Sequence, residues 1–318
     1  MHPYLIERSH RLNNWLKLAS LALAGCLVAA APLQAQVRKL HTRDLIRLSQ
    51  LQVTEQLKQS DVVFIPVGSV ETNGIQPSDR DYVAALGYAM AMAEEVGGLY
   101  MPGLIWSYPG TTLVATSTIN ISPSQGVSFL KTLSESLIRA GFRRLVFISS
   151  GHGPAPMTAG TVVREIFDEF RVPLLYLEMG EQLARLQVPP QARNRLLYGA
   201  HSITGRLIDL ALKGEYGEGP TDPIPVNPGM DELGKLGYTG SMTVGSWITD
   251  YRSHGGRNQV LPATEAEREQ WGREGEAQVR AIVKQMRLRE AMDALKKHDE
   301  FTNKVLVPKF EKNLAPPR

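Results

Sequence analysis

Three short apolar runs separated by long amphipathic stretches constrain this chain more than any other feature: residues 61–67 (DVVFIPV), 145–149 (LVFIS) and 173–177 (PLLYL). A strand that is apolar on both faces needs cover on both sides, and parallel strands joined by crossover helices supply it. The pattern predicts βαβ units, a mostly parallel sheet and helices on both faces, an α/β fold. Helices are predicted over 82–96, which is rich in alanine and methionine and free of proline, and over 124–140, which Gly141 stops. Further helices are predicted over 158–170 and 202–213, with a charged one over 263–297. Glycines and prolines throughout 214–259 predict a long irregular segment, which in a compact domain serves as lid, binding loop, subunit contact or surface excursion.

A chain of 318 residues, 43% hydrophobic and 21% charged, has ample material for a core, which excludes a disordered, collagenous or repeat protein. The first 35 residues hold three of the 35 Lys and Arg (Arg8, Arg11, Lys17) and one of the 32 Asp and Glu (Glu7), leaving 32 basic against 31 acidic residues. Such a balanced, interspersed charge offers no face for nucleic acid and no polybasic run for an anionic membrane. The basic start, the apolar stretch 18–31 and the small residues near Ala35 predict a signal peptide over 1–35. Cleavage after Ala35 competes with lipoprotein processing at Leu23-Ala24-Gly25-Cys26, which resembles a bacterial lipobox. Both routes predict an exported, periplasmic protein with no membrane-spanning segment after processing, and the second adds a lipid anchor at Cys26. Because Cys26 is the only cysteine, the mature domain holds no internal disulfide and no thiolate metal cluster. The expected organisation is signal peptide 1–35, α/β domain 36–300 and tail 301–318.

Two polar clusters directly follow apolar runs, and ligands of open α/β sheets bind beyond the carboxyl ends of the strands. One is Gly68-Ser69-Val70-Glu71-Thr72-Asn73-Gly74 with Asp79-Arg80-Asp81 after it, and the other is Ser149-Ser150-Gly151-His152-Gly153. If the two strands are parallel neighbours, Glu71, Asp81 and His152 reach one edge of the sheet. Two carboxylates and an imidazole make a first shell for one zinc or manganese ion. Asp79 is an alternative to Asp81, which also suits capping of the helix after it. Glu71 also suits a cap, and His201 a packing or capping contact. His254, in Ser253-His254-Gly255-Gly256, reads as a surface turn.

In order and spacing, these residues resemble the creatininase (creatinine amidohydrolase) family. Val67-Gly68-Ser69-Val70-Glu71, Gly74, Asp81, the run from Gly141 to Phe147 into Gly151-His152-Gly153, and Gly199-Ala200-His201 carry the resemblance, which covers residues 45–287. It implies a three-layer αβα fold and a commonly homo-oligomeric, metal-dependent hydrolase of small, often cyclic amides. It further implies that Glu71, Asp81 and His152 match the ligands of one metal, that Asp81 matches the aspartate bridging to a second, and that His201 matches a histidine that carries a proton in amide opening.

The departures concern the second metal. Asn73 stands where the family pattern GSxEQHGPHLP has its first histidine, and Gly74-Ile75-Gln76-Pro77 lacks the other. Ser150 replaces the asparagine of NGHG, Pro154 and Ala155 follow it, and Thr204 stands where an acidic residue is usual. The expected function is therefore hydrolysis of a small amide C–N bond with one divalent metal and a histidine proton carrier. Its rival is a periplasmic ligand-binding or scaffold protein that keeps the fold on an eroded site. A serine hydrolase using Ser149 or Ser150 with His201 lacks the G-x-S-x-G elbow.

Overall fold

The computed structural model describes residues 40–103, 107–110, 116–151, 155–215, 232, 235–237 and 260–314. The signal peptide expected at 1–35, with Cys26, lies outside the described residues, as do most of 214–259, His254, His152 and Pro154. No helix among the described residues is long and apolar enough to cross a membrane.

Strands β1 (Val62–Pro66), β2 (Leu99–Tyr100), β3 (Arg144–Ser149) and β4 (Leu175–Glu178) form one parallel sheet in the order β2-β1-β3-β4. Val63 sits opposite Leu145 and Ile65 opposite Phe147, while Ser149 faces Glu178. The loops after β1 and β3 therefore leave the sheet at the same carboxyl edge. Around the sheet lie α1 (Gln50–Leu57), α2 (Arg80–Val96), α3 (Pro123–Ala140), α4 (Thr161–Phe170), α5 (Met179–Arg185), α6 (Pro190–Ile203), α7 (Glu265–Gln285), α8 (Leu288–Phe301) and α9 (Val307–Phe310).

Alternation along the two central strands divides the core in two. Val62, Phe64, Val146 and Ile148 pack with residues of α2, α6, α7 and α8, whereas Val63, Ile65, Leu145 and Phe147 pack with residues of α1, α3 and α4. This is the three-layer αβα arrangement. Phe64, Ile65, Phe147 and Ile148 are fully buried, each worth about 1.5–3 kcal/mol relative to exposure.

Local signals set most helix ends. Ser122 and Gln125 form a capping box at the start of α3, Pro123 takes the first helical position, and Gly141 ends the helix in the left-handed region at φ 110°. Two expected helices are corrected. The helix read over 202–213 lies earlier, as α6: Pro190 opens it, Gly205 at φ 74° follows its end, and only a 3-10 turn (Leu207–Asp209) comes after. The single helix read over 263–297 is two, broken where Arg287 adopts φ 54° without a glycine or proline to signal it. The tail after Val307 is a short helix and a 3-10 turn as far as Asn313.

Helices α6 and α7 touch backbone to backbone. A Cβ on Gly199 would overlap the Gly275 carbonyl, and one on Gly275 would overlap the Arg195 carbonyl. Gly87 of α2 approaches Ala200 in the same way. Gly199→Ala should cost about 1–3 kcal/mol or more, because backbone cannot yield as a flexible side chain does. Gly160→Ala, with open space around it and a helical φ of −62°, is the control and should leave stability unchanged or raised. Urea unfolding of both variants checks this, and a Gly199→Ala protein as stable as the parent would refute the close-contact reading.

Candidate active site

The segment after β1 turns back sharply. The Glu71 amide donates to the Ser78 carbonyl at 3.0 Å and the Gln76 amide to the Asn73 carbonyl at 3.2 Å. Gly74 supplies the left-handed step at φ 66°. The turn delivers a buried Glu71 whose Oε1 accepts from the Ser69 hydroxyl at 2.9 Å. Asn73 is 1% exposed. Its Nδ2 faces the carbonyls of Glu71 and Ser78 at 3.4 and 3.5 Å, which fixes the amide orientation, since both neighbours can only accept. Its Oδ1 is buried and meets no donor among the described residues, and a buried acceptor of that kind calls for water or a cation.

Asp79 and Asp81 play separate parts. Asp79 precedes α2 without a side-chain cap and pairs with Arg206 through Nη1 at 2.5 Å and Nη2 at 3.3 Å. Asp81 lies in the first turn of α2, buried, and a Cβ built on Gly151 would sit 3.9 Å from its Oδ1. Asp81 thus faces the loop after β3, the loop that carries His152. The same Oδ1 accepts from Arg80 Nε at 3.0 Å and lies 2.9 Å from Arg80 Nη2.

His201, in the last turn of α6, is 1% exposed. Its Nδ1 lies 3.0 Å from the Leu197 carbonyl, which can only accept, so Nδ1 carries the hydrogen and Nε2 holds a lone pair. Nε2 has no partner among the described residues. Burial pushes its pKa down to about 4; the Leu197 contact opposes this and Arg80 and Arg206 add to it. His201 is therefore a neutral imidazole at neutral pH, not one poised near its ordinary range. Thr204, which replaces the acidic residue of the family pattern, donates to the His201 carbonyl at 2.8 Å and so serves the helix end. Ser149 is fully buried with its hydroxyl 2.7 Å from that of Tyr176, so neither it nor His201 Nε2 is engaged in a serine–histidine pair.

Beside Asp81 opens a cavity of about 710 Å³, whose lining includes Ser150 and Gly151 from the loop after β3 and residues from the start of α6. The sequence reading missed two contributors. Glu178, at the end of β4, accepts from the Gly151 amide at 3.1 Å and from the Glu181 amide at 2.9 Å, fixing the loop after β3 and capping α5. The start of α6 is the other, and Pro189-Pro190 was the available signal for it.

The sequence profile of the creatininase family, described as creatinine amidohydrolase, matches residues 47–201. Over residues 47–201 the chain is a creatininase-family domain. A crystal structure of creatinine amidohydrolase (creatininase) is similar at 15% identity with a TM-score of 0.52, covering 81% of this chain and 98% of that one. A mutant creatininase of Zn-Zn type is similar at 16% identity with a TM-score of 0.50, covering 78% and 98%. At these identities the likeness speaks for the fold. Comparison with curated proteins finds no significant sequence match.

Toward a divalent metal, the described residues offer the buried carboxylates of Glu71 and Asp81 and the oxygen of Asn73, an oxygen-rich set of the kind that suits manganese. Among the described residues no three His, Cys, Asp or Glu side chains converge to hold an ion, and His152 is outside them.

The His201 shift has a pH consequence. Its folded pKa lies below the ordinary 6.5, so between those values the unfolded chain binds the extra proton and stability falls as pH falls. The contribution is complete above pH 6.5 and is lost down to about pH 4, on the order of 3 kcal/mol in all. Urea unfolding across that range should show a shallower pH dependence in His201→Gln; identical slopes in parent and variant would place the titration elsewhere.

Proposed function

We propose that the chain is a metal-dependent amidohydrolase that opens the C–N bond of a small, possibly cyclic amide. The observation that carries this reading is the pair of buried carboxylates, Glu71 and Asp81, at the carboxyl edge of a parallel sheet in a family of creatinine amidohydrolases. Glu71, Asp81 and His152 would hold one zinc or manganese ion. Such an ion supplies Lewis acidity toward a carbonyl and toward water.

The chain's own groups do the rest. Arg80 holds the Asp81 carboxylate from one side. Neutral His201 would take up at Nε2 the proton that the attacking water gives up and pass it to the departing nitrogen, its buried setting making the protonated form a strong acid. A second reading, a ligand-binding protein on the same fold, is favoured by the guanidinium already seated on Asp81, because a cation there offsets the charge that an ion would neutralise.

Elemental analysis of the purified protein beside His152→Ala tests the proposal. The expected result is close to one zinc or manganese per chain, lost in the variant together with hydrolysis of cyclic amides. Asp81→Asn should likewise lower metal content, by removing a charged ligand. His201→Gln should keep the metal and slow turnover about 100-fold or more, the range of a lost acid–base group. A protein that takes up neither metal from excess would shift the reading to ligand binding.

A further inference from the structure

Arg80 is the only positively charged residue between Glu71 and Asp81, and it sits on a carboxylate. Its Nε donates to Asp81 Oδ1 at 3.0 Å, and its Nη2 lies 2.9 Å from the same oxygen. Neighbours in sequence do not face each other on a helix, so the guanidinium folds back over the first turn of α2 to reach that oxygen. Nothing local calls for arginine at this position. A cation in the first turn opposes the helix dipole, and the acid on its other side, Asp79, is already held by Arg206. No donor to Asp81 Oδ2 is found among the described residues.

Both side chains border the cavity of about 710 Å³ and both are withdrawn from water, with 18% of Arg80 and 8% of Asp81 exposed. In such a setting one charge feels another more strongly than it does in water, and salt screens it little. A divalent ion that reaches Asp81 from the cavity therefore meets a carboxylate whose charge is already answered and a guanidinium that repels it. The pair also has an effect of the opposite sign, because a carboxylate held in one direction is a better ligand. That gain is small here. The Asp81 side chain is short and buried in the first turn of a helix, with little freedom left to lose, so the repulsion outweighs it.

We propose that Arg80 sets the metal affinity of the site: as a built-in cation on Asp81, it holds the affinity for a divalent ion below what the ligands alone would give. The inference rests on the amidohydrolase reading above, in which Asp81 is a ligand. Arg80 acts through Asp81 and is not a catalytic residue. Its presence also accounts for a carboxylate that stays buried before an ion arrives, since the guanidinium answers its charge in the meantime.

The test is calorimetric titration of the full chain, stripped of metal by dialysis against chelator, with manganese chloride and separately with zinc chloride. Arg80→Gln and Arg80→Met remove the charge and should bind manganese about tenfold or more tightly than the parent. Arg80→Lys keeps the charge and should stay within about threefold. Manganese should also raise the midpoint of thermal unfolding further in Arg80→Gln than in the parent, because an ion bound only by the folded chain stabilises it in proportion to its affinity. Loss of the guanidinium leaves Asp81 buried without its partner, so circular dichroism accompanies each variant with and without manganese. A neutral variant that folds only with manganese supports the inference, since the ion then answers the charge that Arg80 answered. If neither neutral variant folds even with manganese, no ion replaces the guanidinium and the inference is overturned. Equal or weaker manganese binding in both neutral variants, beside a parent that binds metal and opens cyclic amides, would overturn it too and leave the amidohydrolase reading standing. Tighter binding in the neutral variants, with no hydrolysis by the parent at saturating metal, would do the reverse. Absence of metal binding in the parent and in every variant would overturn both.

Discussion

The contact of Gly199 with Gly275 decides where α6 lies, and the position of α6 decides most of what surrounds the site. With no side chains between them, α6 and α7 meet at backbone distance, and Gly87 brings α2 against the same helix at Ala200. One helix is thereby fixed against two others at adjacent residues. Its last turn then carries His201 into the interior, while its first turns set Arg193 and Arg195 on the cavity wall. Both features sit on one rigid rod of fourteen residues, so their separation is set by helical rise and not by loop conformation.

Charge around the start of α2 is arranged in pairs that cross between elements. Asp79 is tied to Arg206, just beyond α6, and Asp81 to its own neighbour Arg80. The Arg80 and Asp81 side chains are 18% and 8% exposed, and desolvating such a pair takes back much of its Coulombic gain. Its value therefore lies more in fixing the direction of the Asp81 carboxylate than in stability. The same two guanidiniums oppose a third positive charge on His201, whose burial already disfavours one. Burial thus keeps the imidazole neutral, and the two guanidiniums that hold the acids reinforce it.

The strands and the first core helices were legible because their signals are local. Runs of apolar residues on both faces, Gly141 after α3 and the capping residues at Ser122 act within a few positions of where they are written. The start of α6 carried a local signal in Pro189-Pro190, which a helix read over 202–213 passed over; Leu210 and Ala211 are buried, just beyond a 3-10 turn and not in a helix. The break at Arg287 had no local mark, because a non-glycine residue holds the left-handed conformation there. Parallel pairing of β1 with β3 sends the loops that follow them to one edge of the sheet, as their apolar runs led one to expect. Arg80 was noted beside Asp81, but its engagement with that carboxylate depends on rotamers that sequence does not encode. The neutral state of His201 depends on burial by distant elements and was not visible in its neighbours along the chain.

The replacement of a family histidine by Asn73 is the departure with the clearest physical consequence. An imidazole at that point would bring a nitrogen donor that binds metal strongly. Asparagine instead spends its amide nitrogen on the carbonyls of its own turn and leaves its oxygen buried with no donor among the described residues. An unsatisfied buried acceptor is costly, and a sequence that needed only to close the turn would gain by removing it. The turn is already closed by the Glu71 and Gln76 amides, so the cost is not explained by local structure. It is explained if the oxygen faces a donor supplied from outside the chain, either water or a cation, at the place where the family resemblance puts a metal. On that reasoning Asn73 keeps a buried acceptor where the family pattern has a histidine, and is not a mere loss. Whatever fills that place, the buried oxygen of Asn73 and the buried carboxylates of Glu71 and Asp81 are kept together in the segment that follows β1 and opens α2.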